Sequence, residues 1–191
     1  NETYWGKPIT GFGDINAKIL VVGLAPAAHG GTRTGRVFTG DKSSDFLYKC
    51  LHKAKISNQS NSDHINDGLK IYNTYITPAL KCVPPQDKPE KKELDNCFIY
   101  LKQEFELLKN VKIIVALGKI GFDACMYFYK KKYDFKEKLK FGHGFIYKLP
   151  NNMKIVGCYH PSPRNVNTGR INEKKMVALF TKVSKLSKKM S

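Results

Sequence analysis

Short apolar runs, each closed by a glycine or prolines, constrain most strongly what this chain can fold into. Residues 18–22 read Lys-Ile-Leu-Val-Val and stop at Gly23, residues 72–80 stop before Val83-Pro84-Pro85, and residues 112–117 stop at Gly118. Runs this short and this uniformly apolar are strands buried on both faces. Two further strands are expected at 145–148 and 154–158. Between them stand stretches of helical period. Residues 44–55 place Phe46, Leu47, Cys50, Leu51 and Ala54 on one face, with Ser43 or Ser44 as N-cap. Residues 89–108 form a long amphipathic helix with Pro89 near its first turn. A third helix follows Gly118 to about residue 130, and a fourth spans 171–189. The charge-dense stretch 130–140 reads as a solvated connection. Strands alternating with helices predict an α/β fold: three α/β/α layers around a mostly parallel central sheet. No repeat and no long linker divides the chain, so residues 1–191 are expected to form one domain.

Charge bears on the partner. The chain has 33 Lys plus Arg against 16 Asp plus Glu, a formal charge of +17. That balance suits a polyanion, nucleic acid above all, although a generic Lys-rich surface gives the same total. No stretch is apolar for long enough to cross a membrane as a helix. Five cysteines at irregular spacing fit a reducing compartment rather than a disulfide framework. The opening Asn1-Glu2-Thr3-Tyr4-Trp5 has neither an initiator Met nor a signal-peptide run, so Asn1 is not expected to be the natural start.

The arginines are few and placed. Only Arg33, Arg36, Arg164 and Arg170 occur, in two segments free of Lys, 23–41 and 159–170. Arg offers a planar fork that fits phosphate or carbonyl oxygens, whereas Lys is a mobile point charge. The first segment contains five glycines but no Gly-Lys-Ser/Thr ending and no Gly-x-Gly-x-x-Gly, so it is neither a P-loop nor a dinucleotide fingerprint. The second sets His160 at a strand end, followed by Pro161-Ser162-Pro163. One segment follows the first long strand and the other the last. Both are therefore expected at the carboxyl ends of the sheet, where such folds bind ligands.

Taken together, Gly23-Leu24-Ala25-Pro26-Ala27, Phe38-Thr39-Gly40-Asp41, His160-Pro161-Ser162 and residues 165–170 resemble the family 5 (type b) uracil-DNA glycosylases of archaea and bacteria. The resemblance extends to Tyr4-Trp5-Gly6-Lys7-Pro8, Gly11-Phe12-Gly13-Asp14, Lys81-Cys82-Val83-Pro84-Pro85 and Phe141-Gly142-His143-Gly144. It implies a monofunctional, monomeric prokaryotic DNA-repair hydrolase of the cytoplasm. Such an enzyme flips a deaminated base out of single- or double-stranded DNA and leaves an abasic site. His160 resembles the catalytic histidine that stabilises charge on the leaving base, although a strand-end His can equally make a structural hydrogen bond. Asp41 is the matching candidate for orienting water or balancing positive charge on the sugar, and it can also be a plain N-cap. Phe38 would stack on the extruded base, or else be a core ring. Ser162, Arg164 and Asn165 would lie on a loop, 161–167, that enters the minor groove. Arg33, Arg36 and Arg170 would meet phosphates, or pair with an acid such as Asp41.

The base pocket would include Ala25, Pro78 and Asp87. Ala25 and Pro78 stand where narrower uracil enzymes carry polar side chains, which implies a broad range that includes hypoxanthine and xanthine. The alternatives are a narrow, family 4-like uracil enzyme and a nucleic-acid-binding module that has lost catalysis. Family members commonly have Asn where Asp87 stands; an ionised Asp accepts but cannot donate. The family also carries a [4Fe–4S] cluster on four cysteines. Cys82 and Cys97 match two of them, and the early pair has no counterpart here. Either that pair lies upstream of Asn1, which is the expectation, or the cluster has been lost.

Overall fold

In the computed structural model, which describes residues 4–190 apart from the side chain of Asp87, the apolar runs become strands of one sheet. In chain order these are β1 (Phe12–Gly13), β2 (Ile19–Gly23), β3 (Thr74–Pro78), β4 (Ile113–Leu117), β5 (Ile146–Lys148) and β6 (Lys154–Cys158). They lie side by side in the order β1-β3-β2-β4-β6-β5. The four central strands are parallel, with Leu20 opposite Tyr75 and Ile114 and with Ala116 opposite Gly157. Both edge strands are antiparallel, β1 to β3 and β5 to β6. Asn1, with Glu2 and Thr3, lies outside the described residues.

Alternation along each strand divides the core between two layers. Ile19, Val21, Ile113, Val115 and Val156 point to one face, and Leu20, Val22, Ile114, Ala116 and Ile155 to the other. The first face is covered by α2 (Lys42–Lys53) and α6 (Glu173–Lys188), which bring Leu47, Leu51, Met176 and Phe180. The second is covered by α3 (Lys91–Leu107) and α4 (Gly118–Tyr133), where Phe105 stacks on Phe128 with ring centroids 4.2 Å apart. The sequence had placed neither β1 nor two short helices, α1 (Gly31–Thr34) and α5 (Pro163–Asn167). No helix among the described residues is long and apolar enough to cross a membrane.

From β2 the chain moves to β3 on one side and then to β4 on the other. The connections after β2 and β4 therefore part, leaving a crevice at the carboxyl ends of the central strands.

Candidate active site

Both arginine-bearing segments end at that crevice. A cleft of about 660 Å³ lies there, walled by Leu24, Gly118, Tyr159, His160, Asn165 and Arg170 among others. Phe38 approaches from behind: its ring centroid is 6.0 Å from that of His160, at an interplanar angle of 36°. Phe38 has φ 47°, a left-handed conformation that non-glycine residues rarely adopt and that clusters at functional sites. This turn lays the ring over Gly23, where an added Cβ would stand 2.9 Å from it. Phe38 is 7% exposed and does not line the cleft. Pro78 closes β3 opposite Gly23, and Ala25 is half-buried two residues beyond it.

Asp41 is the N-cap of α2. Its Oδ1 accepts from the backbone N–H groups of Ser43 (2.8 Å) and Ser44 (2.9 Å), and Ser44 returns a bond to the Asp41 N–H. Oδ2 has no hydrogen-bond partner among the described residues. Gly30 makes room for it, since a Cβ there would lie 2.2 Å from Oδ2. The two readings of Asp41 thus fall on different oxygens, one a cap and one free. His160 feels this carboxylate. Burial drives its pKa below the ordinary histidine value, and the charge of Asp41 opposes part of that fall. The imidazole is therefore neutral near pH 7.

The segment after β6 is tied together locally. Asn165 Nδ2 donates to the His160 carbonyl (2.9 Å), and the Tyr159 N–H donates to His143 Nδ1 (3.3 Å). Ser162 caps α5, accepting from the Asn165 N–H, so residues 163–167 form a one-turn helix and not the loop expected there. Arg164 is exposed on it. Arg170 lies over the Tyr159 ring, 4.6 Å from its centroid, with its guanidinium at the cleft.

Arg36 corrects the sequence reading. It is 4% exposed and pairs with Asp67 through two bonds of 2.9 and 2.6 Å. Its remaining donors go to Thr39 Oγ1 (2.9 Å), Ser62 Oγ (3.0 Å) and the Ile65 carbonyl (3.5 Å). A guanidinium has five N–H donors, and all five are engaged inside the protein. None is left for a phosphate. Arg33 is half-buried and braces the loop, donating to the carbonyls of His29 (3.0 Å) and Gly40 (3.2 Å).

A buried cation, Lys81, ties the end of β3 to α3. Lys81 Nζ donates to both Glu104 carboxylate oxygens (2.8 Å each), to Thr77 Oγ1 (2.7 Å) and to the Pro78 carbonyl (3.1 Å). A lysine within a motif such as Lys81-Cys82-Val83 gives no local sign of burial. Asp87 closes the turn Pro85–Asp87, and its side chain lies outside the described residues.

The thiols do not make a cluster site by themselves. Cys82 is exposed and Cys97 half-buried, and partial burial and then Cys97 raise the Cys82 pKa. Cys50, Cys125 and Cys158 are buried, and burial holds them as thiols, Cys50 at about 12. Among the described residues no three His, Cys, Asp or Glu side chains gather as a ligand set. A four-iron cluster needs four thiolates, and Cys82 and Cys97 would make half of such a set.

The sequence profile of the Uracil DNA glycosylase superfamily matches residues 10–184. The chain is 40% identical to the type-5 uracil-DNA glycosylase of Thermus thermophilus, over 97% of this chain and 83% of that protein. It is 42% identical to the type-5 enzyme of Pyrobaculum aerophilum, over 88% of this chain and 72% of that protein. With the type-4 uracil-DNA glycosylase of Archaeoglobus fulgidus the identity is 27%, over 81% of this chain and 70% of that protein. A uracil-DNA-glycosylase-like protein of Methanosarcina acetivorans, solved by solution NMR, shares the fold with a TM-score of 0.55 at 12% identity, covering 93% of this chain and 98% of its own.

Proposed function

The chain belongs to the uracil-DNA glycosylase superfamily, and from that premise we propose that its crevice removes uracil and deaminated purines from DNA by hydrolysing the N-glycosidic bond. The observation that carries the chemistry is the placing of His160 at the cleft, its ring 6.0 Å from that of Phe38, with the Asp41 charge near enough to act on it. As the C1′–N bond breaks, its electron pair leaves with the base and charge builds on a base carbonyl. A hydrogen bond from the His160 imidazole stabilises that charge and needs no proton transfer. The sugar becomes cationic at C1′, and Asp41 Oδ2 balances it or orients the water that adds there. That water's proton passes to the departed base or to solvent.

Phe38 stacks on the extruded base, a contact that tolerates any flat ring. Because the ring is 7% exposed in the free protein, stacking calls for the walls around it to open. Arg164 on α5 enters the minor groove, and Asn165 couples that helix to His160. Arg33 and Arg170 meet phosphates at the rim, and Ser162 holds the helix end. Ala25 and Pro78 present no side-chain hydrogen-bonding group, so they support a broad base range. Losing a matched hydrogen bond relaxes discrimination far more than removing a methylene does. Asp87 would set the ranking among bases. The same reading makes the protein a single-domain, monomeric enzyme acting on single- or double-stranded DNA in the cytoplasm of a prokaryote. Cys82 and Cys97 would supply two of the four thiolates of a [4Fe–4S] cluster, and no step of the reaction passes through one.

Oligonucleotides carrying one uracil, hypoxanthine or xanthine, treated with the protein and then with alkali, test this reading. Strand breaks at all three lesions are expected. Breaks at uracil alone at high enzyme would defeat the broad pocket, and no breaks would defeat the glycosylase reading. Gly30→Ala tests Asp41 in the same assay. At φ −111° and ψ −107° Gly30 lies outside the backbone regions alanine favours, and the new Cβ would displace Oδ2. Excision is expected to slow by about 10²-fold, as misplaced catalytic groups do, and the backbone strain should lower the melting temperature as well. An undiminished rate would leave Asp41 only its capping role.

A further inference from the structure

We propose that Trp5, with Lys7 over its ring, is a second DNA contact: a platform on which a nucleotide flanking the extruded one stacks. The inference rests on the glycosylase reading and extends it to the N-terminal strap. Trp5 is 43% exposed and Tyr4 39% exposed, yet neither is loosely held. The Trp5 N–H donates to the Thr32 carbonyl (3.0 Å), and its indole lies flat against Gly35, where a Cβ would stand 2.8 Å from the ring. Gly35 has φ +83°, so this position both turns the chain and leaves the space that the indole fills. Tyr4 Oη meets His29 Nδ1 at 2.5 Å.

The strap is fastened to the loop that leads, through Gly30, to Asp41. Single exposed apolar side chains are ordinary and need no explanation. Here, however, a large ring is fixed against Gly35 and stays 43% exposed, with a lysine cation over it. Lys7 Nζ sits 5.7 Å from the Trp5 ring centroid. Arg33, held by the carbonyls of His29 and Gly40, keeps an Nη1 with no partner among the described residues. A fixed aromatic face flanked by cations is how proteins hold unpaired bases without reading their sequence. A net charge of +17 favours a nucleic acid over a protein as the occupant.

The chain has one tryptophan, so its indole emission reports this position alone. The test titrates the native protein with an uncleavable duplex holding a single 2′-fluorodeoxyuridine, labelled for anisotropy, and follows Trp5 emission in parallel. Quenching that saturates with the anisotropy is expected, and heparin, a polyanion without bases, should leave the emission nearly unchanged. Trp5→Ala should weaken DNA binding by roughly five- to tenfold, the lower part of the range for one stacked base. Trp5→Phe, which keeps a flat ring, should restore most of it. Anisotropy that rises without quenching, equal quenching by heparin, or equal losses in the Phe and Ala variants would each overturn the proposal while leaving the glycosylase reading intact. A protein that neither bound the duplex nor excised uracil would overturn that reading itself.

Discussion

Replacing His160 with alanine is expected to slow base excision by about 10²–10³-fold while DNA affinity stays nearly constant. In the proposed reaction the imidazole contacts the base most strongly once the base carries charge, so its loss would fall on the transition state and not on binding. Single-turnover rates on a uracil duplex, set beside affinities for the uncleavable duplex, separate the two. Equal losses in both would mark His160 as a structural residue. The pH dependence gives an independent check. Burial lowers the His160 pKa, so the neutral imidazole persists below the ordinary histidine value. The acid limb of the rate profile should therefore lie below that value. Asp41 raises the pKa against this trend, so Asp41→Asn should move the limb further toward acid. In His160→Ala that limb should disappear from the residual rate.

Arg36→Ala is expected to produce the largest loss of stability. The variant strands Asp67, 6% exposed at its side chain, without its cation, and leaves Thr39, Ser62 and the Ile65 carbonyl without a donor. Removing one partner of a buried pair costs about 3–5 kcal/mol. In a chain of this length that corresponds to a melting temperature roughly 10 °C lower. Arg36→Leu with Asp67→Leu should recover much of the loss, because no buried charge is then left unpaired. A variant that melted normally but bound DNA weakly would restore the phosphate-contact reading of Arg36. Acid should also weaken this region. Burial alone would raise the Asp67 pKa, but hydrogen bonds from Arg36 and from the N–H groups of Leu69 and Asp63 hold it well below the carboxylate range. Because the folded value is depressed, the contribution is complete above that range. It is lost as pH falls through the range toward the folded value.

Much of the fold was legible because the signals behind it are local. β2 and β4 are buried on both faces, so every residue is apolar and each run declares itself within five positions. α2 showed its face through Leu47, Cys50 and Leu51, all of which are buried. β1 gave no such sign: its two residues are a strand only because Phe12 and Gly13 lie beside Ile76 and Tyr75, distant in the chain. The site was legible as two segments that share a residue type and a position at strand ends, and Phe38 and His160 do lie together there. Asp41 was legible as two alternatives, and the structure shows the cap, made by Oδ1 alone.

The arginines mark where local reading stops. Arg36 and Arg170 are the same residue, each directly after a glycine, yet one is sealed among Asp67, Ser62 and Thr39 while the other lies open over Tyr159. Apolar period, caps and turn residues act across a few positions, so this sequence by itself determined its strands other than β1, its main helices and the two segments proposed to carry its chemistry. Whether a charged side chain faces solvent or a buried partner depends on what the chain brings back from far along its length. The tertiary structure alone could therefore enclose Arg36 and Lys81, hold Asp41 Oδ2 free beside Gly30, and leave Trp5 part-exposed against Gly35.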